Sequence, residues 1–255
     1  MKKGQPHKHC SEIESLFLDA NSITITDYET SFKDITFDLL LEQQQKIYQK
    51  LFVEALIYGN VNKNQAENTY LPILDKYVLN DIKEPYITKE LYNDNKGCLK
   101  LENGVYYLCS FKCPNEEDGN SCISCISRNY LYKSDDTDGA NFAVLKLFGH
   151  LCRSPCFDEL RTKQQLGYIV WSYPSSFKGL YSFKVVIQSN NSSPRKLNCK
   201  IETFLKEFRD FIEEIDDETF MTNKKSVINN LLEKTKTING EKLYHLGNNL
   251  TEKRI

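Results

Sequence analysis

The run Ser154 to Val170, S-P-C-F-D-E-L-R-T-K-Q-Q-L-G-Y-I-V, holds an arginine and a tyrosine, Arg161 and Tyr168, separated by six residues. A guanidinium is always charged and presents a planar fork of N–H donors, and a phenol adds one O–H donor. Aimed at one carbonyl oxygen, the two would clamp negative charge as it develops there. The flanking residues predict rigid supports. Ser154 reads as a helix N-cap and Pro155 as the first helical residue, where its missing N–H costs nothing. The short helix then carries Phe157, Leu160 and Arg161 until Leu166-Gly167 breaks it. Tyr168 to Trp171 opens a strand of aromatic and β-branched residues. Arg161 thus falls near a helix end and Tyr168 at the mouth of a strand. The plainer alternative makes Arg161 a solvated cation near a helix C-terminus and Tyr168 an amphipathic strand residue.

Other groups able to do chemistry are thiols and imidazoles. There are nine cysteines. No apolar stretch follows the lysines of the N-terminus MKKGQPHKHC, so the chain reads as cytoplasmic and its cysteines as free thiols. Cys109-x3-Cys113 with Cys122-x2-Cys125 could offer four thiolates to a structural zinc. The first pair, however, has the spacing of one strand face, and zinc knuckles draw ligands from tight turns. His7-Lys8-His9-Cys10 is a compact ligand-like cluster in a stretch that reads as a disordered polar tail. His150 sits on a helix expected to be buried. None of the four histidines, His7, His9, His150 and His245, begins or ends an H-x-x-E-H motif, so no metal ligand is assigned.

Thirty-three basic and 35 acidic residues give a formal net charge of −2. That balance provides no electrostatic footprint for nucleic acid or an anionic membrane as partner. No apolar run approaches the roughly 20 residues of a membrane-spanning helix.

Periodicity and turn chemistry order the chain. Helices are expected from near Ser11, from the capping box Thr26-x-x-Glu29, from Thr36, and from Asn62 with Gln65 to about Val78. Phe52 to Tyr58 reads as a buried strand. Residues 80–97, polar and carrying Pro85, form a linker between residues 1–79, the end of a preceding α+β repeat domain, and residues 98–255, a second α+β domain expected to be truncated. In that second part Val105 to Phe111 and Ile123 to Tyr132 suggest a hairpin. A helix with Val144, Leu147, Phe148 and Leu151 on one stripe follows. Strands to Pro174 and over Tyr181 to Gln188 come next, then a long helix from Pro194 and another capped by Asp216 or Asp217. A last helix is expected over Glu241 to Leu250. The fold class is α+β, a mostly antiparallel sheet with helices packed on one face.

The stretch PCFDELRTKQQLGYIVWS resembles a signature of the insulinase/pitrilysin zinc metalloendopeptidases, in their insulin-degrading-enzyme group. Leu51 to Asn60, L-F-V-E-A-L-I-Y-G-N, resembles the strand that closes the family's third repeat domain. The resemblance places the chain in the C-terminal, non-zinc half. It implies that Arg161 and Tyr168 reach a zinc site in the N-terminal half, hydrogen-bond the substrate backbone and stabilise the oxyanion. It implies that Phe157 lines the same peptide-enclosing chamber, although a core aromatic is an equal reading of that residue. Zinc is expected only in a separate or missing N-terminal half, and the chain alone is expected to be inactive. The implied partners are peptide substrates and an N-terminal catalytic half or homologous subunit. The alternative is a non-catalytic peptide-binding or regulatory subunit of the same family.

Overall fold

The computed structural model describes residues 4–19, 21–49, 56–74, 105, 107–113, 115, 117–132, 139–177, 180–233, 237, 238 and 240. The chain divides into two units, residues 1–22 with 97–233 and residues 23–96 with 234–255. The second unit holds helices α2 (Ile25–Lys33), α3 (Phe37–Gln49) and α4 (Lys63–Leu74). Their N-termini are set by local side-chain bonds. Thr36 Oγ1 accepts the Leu39 N–H at 3.2 Å, and Asn62 and Gln65 cap each other reciprocally. The capping box of α2 is Thr24 with Asp27, two residues before the Thr26 expected, because Asp27 returns a bond to the Thr24 N–H. The expected strand Phe52 to Tyr58 falls largely outside the described residues, as do the end of the 62–78 helix, the linker and the Glu241–Leu250 helix.

The first unit carries the site. Its sheet has the order β1-β3-β2, all antiparallel: β1 (Ser121–Tyr132), β3 (Leu180–Ser189) and β2 (Ile169–Phe177). The partner of β1 is β3, with Cys122 opposite Gln188 and Cys125 opposite Val185. The hairpin expected with Val105 to Phe111 is not formed, since the described residues there have no strand structure. Sheet alternation fixes the two faces. Phe183, Val185 and Ile187 of β3 point into a core with Leu197, Ile201, Phe204 and Phe208 of α6 (Pro194–Glu213) and with Cys152 and Cys156 of α5 (Ala140–Phe157). Phe148 braces that core edge-on to Phe183 and Phe208, at 4.9 and 5.6 Å. The apolar stripe read on the 194–215 helix is this buried face. Ser193 and Asp216 cap α6 and α7 (Asp217–Leu232).

The opposite face is covered by α1 (Pro6–Leu18). Residues 6–10, expected as a disordered tail, are instead its first turns. Pro6 starts the helix without losing a bond, and both Pro6 and His9 are buried. The His7 N–H donates to Gln188 Oε1 at 3.0 Å, and the His7 ring meets Trp171 edge-on at 5.3 Å. Glu14 pairs with Lys184 and accepts from Ser124. Helices therefore pack on the core face as expected, and α1 adds a layer on the other. No helix among the described residues is long and apolar enough to cross a membrane.

Candidate functional site

Helix α5 runs unbroken through Pro155 to Phe157, so Ser154 and Pro155 do not start a new helix. The reason is packing. Cys152 and Cys156, four residues apart on one helical face, are both buried, and that stripe carries the helix through a proline costing about 3 kcal/mol in a helix interior. The helix then widens into a π-helical turn, Asp158–Lys163. The Gln164 N–H reaches back to the Glu159 carbonyl at 3.0 Å, and the Leu166 N–H to Leu160 at 3.0 Å. Leu160 and Leu166 are buried beneath it and anchor the turn from below.

Two backbone features turn the chain into β2. Gln165 has φ +50°, a left-handed conformation uncommon for a side-chain-bearing residue. Gly167 lies against the central strand, where a Cβ would stand 2.0 Å from the Gln188 carbonyl oxygen. Only glycine fits that approach. Tyr168 follows immediately.

This geometry brings the three sequence-assigned residues together. The Arg161 guanidinium lies over the Phe157 ring at 4.7 Å and over the Tyr168 ring at 5.1 Å. Phe157 is 38% exposed and Tyr168 is 85% exposed. Phe157 is thus a half-open surface aromatic rather than a core residue. Both rings thus lie within cation–π distance of the guanidinium, a contact that takes none of its N–H donors. Among the described residues no carboxylate pairs with Arg161. The nearby Glu159 is engaged elsewhere, accepting from Lys163 Nζ and Gln164 Nε2 at 2.9 Å each. Those two bonds hold the Glu159 carboxyl below its ordinary pKa, Gln164 contributing most. Nothing in residue types or spacing signals the π turn, the Gln165 conformation or the role of Glu159, and Gly167 reads by type only as a helix breaker.

The cysteine reading is also resolved by alternation. Cys122 and Cys125 lie three residues apart on β1 and so face opposite sides of the sheet. Cys125 Sγ donates to Asn198 Oδ1 of α6 at 3.3 Å, whereas Cys122 meets Cys10 of α1. One zinc could not take both. Among the described residues no group of three or more His, Cys, Asp or Glu side chains could hold a metal ion. Two cavities lie away from Arg161: one of about 210 Å³ between α1 and the sheet, and one of about 470 Å³ between α5 and α7.

Residues 147–243 match the family model described as PQQ synthase PqqF-like, C-terminal lobe domain 4. The chain is 30% identical over 238 residues to the insulin-degrading enzyme of Drosophila melanogaster, covering 93% of this chain and 23% of that protein. It is 26% identical over 237 residues to the Homo sapiens insulin-degrading enzyme, covering 93% and 22%. To the A-factor-processing enzyme of Saccharomyces cerevisiae it is 26% identical over 233 residues, covering 91% and 22%. The chain therefore spans less than a quarter of the length of these curated relatives. The crystal structure of pitrilysin superimposes with a TM-score of 0.75 at 16% identity, over 98% of this chain and 25% of that one, which establishes the fold. These matches support placing the chain with the C-terminal half of the insulinase/pitrilysin family. More particularly, it is similar to the C-terminal part of insulin-degrading enzymes.

Proposed function

We propose that this chain forms part of the peptide-enclosing chamber of an insulin-degrading-enzyme-like metalloendopeptidase, with Arg161 and Tyr168 contacting the substrate backbone. The observation that carries the reading is the cluster: a guanidinium over both the Phe157 and Tyr168 rings at the surface, its donors unclaimed by any described carboxylate. Arg161 donates in-plane N–H bonds to a peptide carbonyl oxygen, and the Tyr168 hydroxyl donates to the same oxygen. Charge building on that oxygen strengthens both bonds, so the contact favours the transition state over bound substrate. Phe157 supplies one apolar wall. The metal-binding groups belong to an N-terminal half, since among the described residues of this chain none group to hold a metal ion.

The test reconstitutes this chain with a family N-terminal half and follows a fluorogenic peptide. Arg161→Ala is expected to lower turnover about 10²–10³-fold, the usual cost of one such donor, with the circular dichroism spectrum unchanged. Unchanged turnover removes the clamp. A reconstituted pair that binds peptide through Arg161 but does not cleave it supports instead a non-catalytic peptide-binding or regulatory subunit.

A further inference from the structure

Helix α1 and strand β1 meet in two rungs. Cys10 and Glu14 lie one helical turn apart on a single face of α1, and Cys122 and Ser124 share one face of β1. Ser124 Oγ donates to Glu14 Oε2 at 3.0 Å, and Glu14 is held in turn by Lys184 of β3. One turn along, that register sets the thiol of Cys10 facing the thiol of Cys122, each acting on the other. The Glu14 rung thus sets the register and leaves two sulfurs facing. Both cysteines are half-buried. Cys10 also lines the cavity of about 210 Å³ with His7, Trp171 and Tyr173, which gives a small oxidant a route to its sulfur.

We propose that Cys10 and Cys122 form a redox-controlled disulfide that locks α1 onto the sheet. With hydrogen peroxide as oxidant, the Cys10 thiolate attacks one peroxide oxygen and the O–O bond breaks. This gives a sulfenic acid and hydroxide, which takes up a proton to become water. Cys122 then attacks the Cys10 sulfur. The S–S bond forms, the S–O bond breaks, and a second water leaves with the Cys122 proton. Two thiols have lost two electrons and two protons, and the peroxide has become two waters. The hydrogen bond from Cys122 holds Cys10 below the ordinary thiol range, and the same pairing with burial pushes Cys122 up. Cys10, which lines the cavity while Cys122 does not, is the attacking thiol and Cys122 the resolving one.

To form the bond the facing sulfurs must close to about 2.05 Å. The buried pair Cys152 and Cys156 makes a useful contrast. Both sit on one helix at 0% and 1% exposure, sealed from an oxidant. Cys113 acts electrostatically on Cys122 and is the competing partner. The lock bears on the Tyr168 end of the sheet, since His7 of α1 holds Gln188, whose carbonyl abuts Gly167. It stands whether or not Arg161 contacts peptide.

The experiment titrates the full chain with hydrogen peroxide, alkylates the remaining thiols and maps them by fragmentation mass spectrometry. A Cys10–Cys122 linked peptide is expected, about 2 Da lighter than its two thiol peptides together. It should be reversed by reductant, retained in Cys113→Ser and lost in Cys122→Ser. Amide exchange in α1 should slow by roughly tenfold or more once the link forms. A Cys10 that stays fully alkylatable at a dose consuming the exposed Cys199 overturns the proposal, as does a Cys113–Cys122 link in its place. A link that leaves α1 exchange unchanged overturns the lock. The mapping on unmutated chain requires no variant to fold.

Discussion

Replacing Gly167 by alanine probes the close approach that delivers Tyr168 to Arg161. The added Cβ would stand 2.0 Å from the Gln188 carbonyl oxygen, 2.9 Å from its carbon and 3.3 Å from the Ser189 Cα. All three are backbone atoms of the central strand, so no side chain can swing aside. β3 cannot retreat cheaply either, because it is bonded to β1 and β2 on both edges and buries Ile187 and Ser189. Overpacking of this kind costs about 1–3 kcal/mol, and contact with rigid backbone falls at the upper end. Against it stands a gain of about 0.4–1 kcal/mol, since alanine has fewer unfolded conformations to lose. The net loss is about 2–3 kcal/mol. At about 2–4 °C per kcal/mol for a domain of this size, the melting temperature should fall by roughly 4–12 °C.

The control is Gly119→Ala, where nothing lies within 4 Å of the new Cβ. That variant should melt at or slightly above the parent. Differential scanning calorimetry gives both values, and amide exchange at Ile169 and Val170 shows whether the first rungs of β2 open locally. If Gly167→Ala melts like Gly119→Ala with exchange unchanged, Gly167 is not a packing requirement and the account of how Tyr168 is placed fails.

Further predictions concern the charges and donors around this frame. Tyr168→Phe keeps the ring beside Arg161, so turnover of the reconstituted pair should fall about 10²–10³-fold while the melting temperature holds; equal loss of both would show a merely structural tyrosine. Glu14→Ala strands Lys184 in a site only 13% exposed and should cost about 3–5 kcal/mol by urea unfolding, most of it recovered in a Glu14→Met, Lys184→Met double variant. Asp216, which caps α7, has its carboxyl held below the usual range by the Thr219 backbone and hydroxyl. Its contribution is present above the unfolded carboxylate pKa of about 3.9 and is lost as pH falls through the folded value. Exchange at the Thr219 amide should therefore quicken on acidification, and Asp216→Asn should flatten that response.

What could be read from sequence was mostly local. Thr36, Asn62 with Gln65, Pro194 and Asp216 announced helix starts because a cap is a bond between residues three apart and a first-turn proline acts on its own backbone. The stripe from Leu197 to Phe208 marked the buried face of α6 for the same reason, a fixed helical period. The failures all involve distant partners. Ser154-Pro155 has the form of a helix start, yet the burial of Cys152 and Cys156 against the core carries α5 through it. Residues 105–111 have the composition of a strand, yet those described take no strand structure and β1 finds its partner in the distant β3 instead. The polar composition of residues 1–10 hid a helix whose anchor, Gln188, lies 181 residues along the chain from His7. The proximity of Arg161 and Tyr168 was legible in outline because a helix end and a strand mouth seven residues apart must lie close. The π turn that tunes it was not, since its bonds depend on how Leu160 and Leu166 seat in the core.

The way Arg161 is held bears on what it is for. An arginine kept for stability alone would gain most from a carboxylate, and Glu159 lies only two residues away. Two residues apart on a helical surface do not face each other, and Glu159 instead takes Lys163 and Gln164, which tightens the turn beneath Arg161. The guanidinium is left over the faces of two aromatic rings. Such stacking at a surface contributes about 0.5–1 kcal/mol and restricts the side chain without consuming its hydrogen-bond donors. A free surface arginine would lose about 2 kcal/mol of rotamer entropy on gripping a ligand oxygen. Here part of that ordering is already made when the chain folds. Preorganised donors beside an exposed phenol are what a transition-state contact requires. A stack serving only to cover Phe157 would have no use for Tyr168 at 85% exposure.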